Sequence, residues 1–345
     1  MEERNNSFDV IRHFAAFLVL FSHQFRLSGF EEPLIKGWDT LGFIGVAIFF
    51  TISGYFMPKS FESSGSFFVF IEKRCRRIFP GLFVCSFIMV YVIGLFFTND
   101  NKTDYILSYA NIKDVFLHTI FIHNVTPGLF SDFIVKDAIN GSLWTLPIEF
   151  LCYIIIGSAL SLAFNWKTAM ILLWLASLAT ATINLVWTDF SFYGISMKYL
   201  AIFGIPFATG ALMSLTKKSW SGHKVQLSIL SIFLMWLLRG RWEIFVLGTA
   251  SLSILVVIVG VSFREKLING KFDISYGMYI YAFPIQQIII NRVTNNLWLS
   301  MLLSISLTII IAFLSFKYIE SPFLIKNKKS VKKNNNQDYI VNSKV

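Results

Sequence analysis

Charged side chains are scarce in this chain, at 14 % of its 345 residues, where a soluble domain carries about 25 %. Together with a hydrophobic share of 55 %, that scarcity excludes a water-soluble enzyme of this length. Cysteine is nearly absent too. The three present, Cys75, Cys85 and Cys152, fall in a basic stretch or within apolar runs, so no extracellular disulfide framework is expected and packing is their ordinary use. Histidines and acids show no metal-ligand spacing, so no metal site is expected. There is no internal repeat and no matched pair of Gly- or Pro-interrupted runs, the mark of many secondary transporters. No small-residue cleavage site follows the first apolar run, and no cleavable signal peptide is expected. Every connection is too short to bury a core of its own.

What remains is apolar. Ten runs are long enough to be read as spans of a hydrocarbon core about 30 Å thick: Ile11–Gly29, Leu41–Met57, Phe79–Phe97, Leu143–Phe164, Thr168–Trp187, Met197–Leu215, Val225–Leu238, Ile244–Val261, Ser275–Asn291 and Leu297–Phe316. The seventh is short. The expected fold is therefore all-α, a polytopic transmembrane bundle. With the N-terminus inside, about 21 basic residues fall on the cytoplasmic side, out of 30 in all, and an even span number puts both termini in the cytoplasm. The net charge of +10 is then a matter of topology and anionic lipid, not nucleic acid. One outward connection is long, from Thr98 to Gly141, and within it Ile112–His123 repeats apolar residues at helical spacing. Residues 324–345 form a basic tail with too little apolar surface to order itself.

Polar residues kept within lipid depth usually have a function. Arg12 and His23 are eleven positions apart, so on a helix both project from one face with about 16 Å between them. Asp9, one turn before Arg12, is placed to hold its guanidinium. Arg74 and Arg77 share a face at i, i+3 within the cluster Lys73–Arg77, which also reads as a topology anchor with snorkelling side chains. Ser142–Glu149 enters the fourth span, with Pro147 expected to loosen the helix beside Glu149. Ser275, Tyr276, Tyr279, Gln286 and Gln287 lie in the ninth span. Counting depth inward from Arg12 and from Asn140 lets His23 and Glu149 meet near mid-membrane, where a carboxylate would orient an imidazole for general-base work. Structural roles for His23 and Glu149 stay open. His118, His123 and His223 lie outside the spans and read as surface histidines.

These motifs resemble, in order, those of the acyltransferase-3 family of bacterial integral membrane acyltransferases. The resemblance rests on Arg12 with His23, on Gly45 through Ser53-Gly54-Tyr55, and on Arg74, Arg77 and Pro80. Trp144, Leu146 and Glu149 continue it, followed by Ile274–Tyr279 and Glu320–Phe323. It covers nearly the whole chain to Phe323, so residues 1–323 are expected to form one acyltransferase-like transmembrane domain. Two positions depart from the pattern. His13 stands where a small residue is common, and Ala282 where a ninth-span histidine is common, which leaves His23 the catalytic candidate.

The resemblance implies an O-acyltransferase of the bacterial inner membrane. The donor would be cytoplasmic acyl-CoA, acetyl first among the acyl groups, with no permanently bound cofactor. The acceptor would be a hydroxyl of a surface or lipid-linked glycan. On that reading Arg12, Arg74 and Arg77 hold the acyl-CoA phosphates, His23 and Glu149 are catalytic, with His23 either a general base or a transient carrier of the acyl group, and Trp144, Tyr276 and Tyr279 meet the acceptor. No extracytoplasmic hydrolase-like domain like that of some relatives is expected, so the acyl group would be either transferred directly or handed to a separate protein. A sugar or glycan transporter using the same polar interior is the alternative, and a non-catalytic scaffold the third reading.

Overall fold

The computed structural model describes residues 6–98, 101–122, 129–186, 190–265, 268 and 272–324. The basic tail and His123 lie outside the described residues. In chain order come α1 (Phe8–Leu27), α2 (Leu41–Glu62) and α3 (Phe67–Phe97), then two short helices, α4 (Lys102–Leu107) and α5 (Tyr109–Thr119). Next are α6 (Thr145–Leu162) and α7 (Trp166–Val186). A two-stranded hairpin follows, β1 (Ser191–Phe192) against β2 (Ile195–Ser196), antiparallel with Ser191 opposite Ser196. The chain continues through α8 (Met197–Leu215), α9 (Lys224–Leu237), α10 (Trp242–Ser262), α11 (Ser275–Ile288) and α12 (Leu297–Leu324). Each of the ten apolar runs is thus helical. Among the described residues, seven of these helices (α2, α3, α6, α7, α8, α10 and α12) are long and apolar enough to cross a membrane. The other three differ in kind: α9 has only 14 residues, α1 carries Asp9, Arg12 and Arg26, and α11, with Pro284 inside it, is also only 14 residues long before a π-helical turn over Ile289–Val293.

Helix ends follow local chemistry. Thr40, Ser66, Ser196 and Asn296 each accept a backbone N–H of the first turn of α2, α3, α8 and α12, satisfying donors that have no partner within the helix. The Ser66 cap explains why α3 begins twelve residues before its apolar run. Lysine and arginine are good helix formers, so Lys73–Arg77 and Cys75 lie inside the helix and not in a loop before it. Hydropathy marks where a chain meets lipid; it does not mark where a helix starts.

The bundle centres on α2, most of whose residues are buried. It meets α8 backbone to backbone. A Cβ added at Gly54 would lie 1.9 Å from the Phe207 carbonyl oxygen, and one at Gly210 would lie 2.2 Å from that of Thr51. Lipid gives helices no hydrophobic reason to associate, so close approach through small residues replaces it. Thr51 also donates to Ser253 Oγ of α10 at 2.8 Å. Gly54→Val is expected to force the two backbones apart and lower stability by at least about 1–3 kcal/mol, read as an earlier thermal midpoint in detergent. A midpoint equal to that of the unaltered protein would contradict this packing. At the periphery, α7 leaves Ile171, Trp174 and Leu175 uncovered, an apolar surface that suits lipid and would aggregate in water.

Buried amides join the ends of the chain. Gln286 donates to Leu20 O at 2.8 Å and to Gln24 Oε1 at 2.7 Å, while Gln24 donates to Ser300 Oγ at 2.8 Å. Gln287 donates to the carbonyls of Val135 and Ala138. The two ninth-span glutamines therefore tie α1, α11, α12 and the 129–144 connection together.

Candidate active site

Five helices enclose a cavity of about 110 Å³. α1 contributes Arg12, α2 contributes Ser53 and Phe56, α3 contributes Arg74 and Arg77, α6 contributes Glu149 and Tyr153, and α11 contributes Tyr276 and Tyr279. All three arginines singled out in the sequence thus line one space, with Glu149 in the same wall. The i, i+3 spacing of Arg74 and Arg77 puts both on the cavity side of α3, as a helix of 3.6 residues per turn requires.

The arginines are held unequally. Arg77 Nη2 lies 2.5 Å from Asp273 Oδ2, and Arg12 Nη1 lies 3.5 Å from the same oxygen. The carboxylate partner of Arg12 is therefore Asp273, not Asp9. Arg12 also sits over the Phe56 ring, 5.3 Å from its centroid. Arg74 has no carboxylate within ion-pair distance among the described residues. Its Nη2 donates to Ser60 Oγ at 3.2 Å, its guanidinium lies over the rings of Phe70 and Tyr153, and its Nε is buried without a partner. A guanidinium so placed has donors to spare and suits an anion with several acceptor oxygens.

Asp273 lies on the connection before α11. Burial alone would raise its pKa, but Arg77 and Arg12, with a hydrogen bond from Ser275 Oγ, hold it below the ordinary value of 3.8. A carboxylate depressed on folding adds stability above its unfolded pKa and loses it as pH falls further. The wild-type thermal midpoint is thus expected to hold from pH 7 to 5 and to drop below about pH 3.8. Asp273→Asn should show the lower midpoint already at pH 7, and an unchanged midpoint there would mean that the pair contributes nothing.

Glu149 does not meet His23. Its Oε1 accepts from Ser53 Oγ at 2.7 Å and from the Tyr153 hydroxyl. The His23 ring instead packs edge-on against Phe283 with centroids 5.6 Å apart, and His23 is not among the residues lining the arginine cavity. The reason is the 129–144 connection, which sinks between the helices instead of lying at the surface. Asn140 Nδ2 donates to Ile280 O at 2.7 Å, and Ser142 Oγ lies 3.2 Å from Tyr279 O. α6 therefore starts deep in the bundle, and Glu149 lies at the level of the arginines. Pro147 is the third residue of α6, where no backbone donor is needed, so it does not loosen the helix.

Around His23 the structure assembles other groups. Ser22 donates to Glu32 Oε2 at 2.5 Å, and Arg26 Nη1 lies 3.5 Å from Glu32 Oε1. Nothing in the sequence spacing signals Glu32, because a loop folds it back over the end of α1. Asp273, Ser53 and Tyr153 escaped sequence reasoning likewise, being joined to the arginines only by folding.

The residues expected to meet an acceptor divide. The Tyr276 hydroxyl donates to Ile78 O at 2.8 Å, and the Tyr279 hydroxyl bonds Ser142 O and Thr145 Oγ1, so both tyrosines anchor neighbouring segments while their rings line the cavity. Trp144 lies away from that cavity against Tyr199, with centroids 4.7 Å apart. His118, expected at the surface, is 6 % exposed, because α5 turns its Val115 and His118 face inward; His223 is exposed.

Known proteins resemble the chain along most of its length. The family described as an acyltransferase domain matches residues 5–317. An O-acetyl transferase of Shigella phage Sf6 is 36 % identical over 328 residues, covering 94 % of this chain and 97 % of the phage protein. Nodulation protein 10 of Rhizobium leguminosarum bv. viciae is 29 % identical, covering 92 % of each chain. The peptidoglycan O-acetyltransferase OatA of Listeria monocytogenes is 25 % identical, covering 83 % of this chain and 52 % of OatA. No solved structure matches.

Proposed function

The chain belongs to the acyltransferase-3 family, and from that premise we propose that it moves an acetyl group from acetyl-CoA to a hydroxyl of a surface or lipid-linked glycan. The observation that carries the donor half of this reading is the cavity with three arginines, among them Arg74, which has no carboxylate within ion-pair distance among the described residues and an unpartnered Nε. The phosphates of acyl-CoA supply what such a cavity lacks, since each guanidinium offers a planar fork that matches phosphate oxygens and stays charged at any physiological pH. The names of the phage and Listeria relatives favour acetyl as the group and oxygen as its destination.

The arginine end of the bundle faces the cytoplasm in this proposal, as the excess of basic residues on that side favours. The pantetheine arm runs along α1 and carries the thioester from Arg12 to His23, roughly 16 Å away. The imidazole of His23 takes the proton of the acceptor hydroxyl while its oxygen attacks the thioester carbonyl carbon. The carbon–sulfur bond then breaks, and the CoA thiolate leaves and is protonated from the imidazolium. Glu149 belongs to the donor cavity, where it fixes Ser53 and Tyr153 opposite Arg74.

The test uses purified protein in proteoliposomes with acetyl-CoA and glycan from the envelope of the cell that carries the gene. Free CoA should be released, and the glycan should gain the mass of an acetyl group. Glycan crossing the bilayer with no CoA released would make the protein a transporter and end this reading.

A further inference from the structure

A second concave site lies at the end of the bundle where α1 stops, opposite the arginine cavity. Its volume is about 300 Å³, and it is formed by the α1–α2 connection and the start of α10. Leu34, Gly37, Trp38, Gly240, Arg241 and Trp242 line it. We propose that this cleft is the subsite that holds a sugar ring of the acceptor, an inference that rests on the glycan transfer proposed above.

The cleft is built, not incidental. Gly37 and Gly240 have φ of +79° and +78°, a backbone conformation that favours glycine at both, and a Cβ at Gly37 would lie 2.9 Å from the Gly240 nitrogen, so the two connections touch only because Gly37 lacks a side chain. Gly240 N donates to Gly37 O at 2.6 Å, and Arg239 Nε donates to Lys36 O at 3.0 Å. An isolated bridge between Leu34 and Thr40 and the bond from Ile35 N to Asp39 O close the first connection on itself. The floor is fixed by α2 and α10, where Phe43 and Phe245 meet edge to face at 6.0 Å.

The lining matches a carbohydrate. A pyranose presents a face of C–H groups and an edge of hydroxyls. An indole presents an apolar face and one N–H donor, and specific pockets combine such faces with a few placed polar groups. Trp242 keeps 43 % of its surface exposed, leaving ring area for stacking, and the exposed Arg241 adds donors for hydroxyl oxygens. Trp38 Nε1 is buried without a hydrogen-bond partner among the described residues, a donor whose desolvation is uncompensated until an acceptor oxygen reaches it. Tryptophans that merely anchor a protein at the bilayer surface keep their N–H among headgroups and water; that of Trp38 is buried in a cleft between two connections. Location agrees with chemistry, since Glu32, hydrogen-bonded to Ser22 beside His23, lies two residues before Leu34 on the same connection.

Isothermal titration of the full-length protein in detergent tests this, using soluble fragments released by mild acid from that cell's envelope glycan. Trp242→Ala is expected to weaken fragment binding more than tenfold. Trp38→Phe, which keeps a ring and removes the N–H, is expected to weaken it by about two- to tenfold. Both variants should bind acetyl-CoA as the unaltered protein does, which also shows that they are folded. Fragment affinity unchanged in both, or no fragment binding by a wild-type protein that still transfers acetyl, would overturn the subsite alone. Loss of phosphatidylglycerol-vesicle binding in the variants with unchanged fragment affinity would make the tryptophans lipid anchors and overturn it equally. A wild-type protein that consumes no acetyl-CoA would instead remove the reading beneath it.

Discussion

The His23→Ala variant is expected to transfer acetyl about 10²–10⁴-fold more slowly, the usual loss when a general base is removed, while its affinity for acetyl-CoA stays at the wild-type level. The separation follows from the geometry. His23 packs on Phe283, outside the cavity lined by Arg12, Arg74 and Arg77, so removing the imidazole leaves the donor's phosphate contacts in place. Rates measured at saturating acetyl-CoA, beside equilibrium binding, distinguish this from a packing defect. A variant that loses binding and turnover together would reduce His23 to a structural histidine. One that keeps full turnover would end its role altogether.

The second large effect is expected at the arginines. Hydrogen bonds involving a charged group contribute about 1.5–3 kcal/mol each, so Arg74→Ala combined with Arg77→Ala should weaken acetyl-CoA binding by about 10²–10⁴-fold. The single variants should differ in kind. Arg77 is the nearer cation on Asp273, so its removal leaves that partly buried carboxylate with only the longer Arg12 contact and the Ser275 hydroxyl and lowers stability as well as affinity. Arg74 has no such partner among the described residues, so Arg74→Ala should cost affinity with little loss of stability, and Arg74→Lys should recover only part of it because an ammonium lacks the fork. Lys73 and Arg76 remain in every case and keep positive charge where the expected orientation needs it. Unchanged acetyl-CoA affinity in the double variant would return the cluster to a topology anchor.

The helical runs were legible because lipid leaves so few solutions: a chain crossing it must satisfy its backbone internally and present apolar side chains. Arg12, Arg74 and Arg77 were legible for a related reason, since charge kept at that depth is costly without a purpose. What could not be read was which polar groups meet. Asp273 follows Arg77 by 196 positions, and only folding brings them together. The expected contact of Glu149 with His23 failed at one assumption, that Asn140 marks the membrane surface. Its bond to Ile280 shows that the chain re-enters the bundle there, and a periodicity argument contains no signal for such a descent. Helix limits failed more mildly, as at α3, where good helix formers extend the helix past the apolar run.

Gly54 and Gly210, each leaving no room for a methyl group, fasten α2 to α8 along their main chains. Such a seam admits neither sliding nor tilting of one helix on the other without a backbone collision. The side of the arginine cavity that carries Ser53 and Phe56 is therefore expected to stay in place. On the proposed donor reading, the wall that moves to admit acyl-CoA is then expected to be the facing one, which the Arg77–Asp273 ion pair fastens. An incoming phosphate can take the carboxylate's place on the guanidinium, so the donor would release the latch by occupying it.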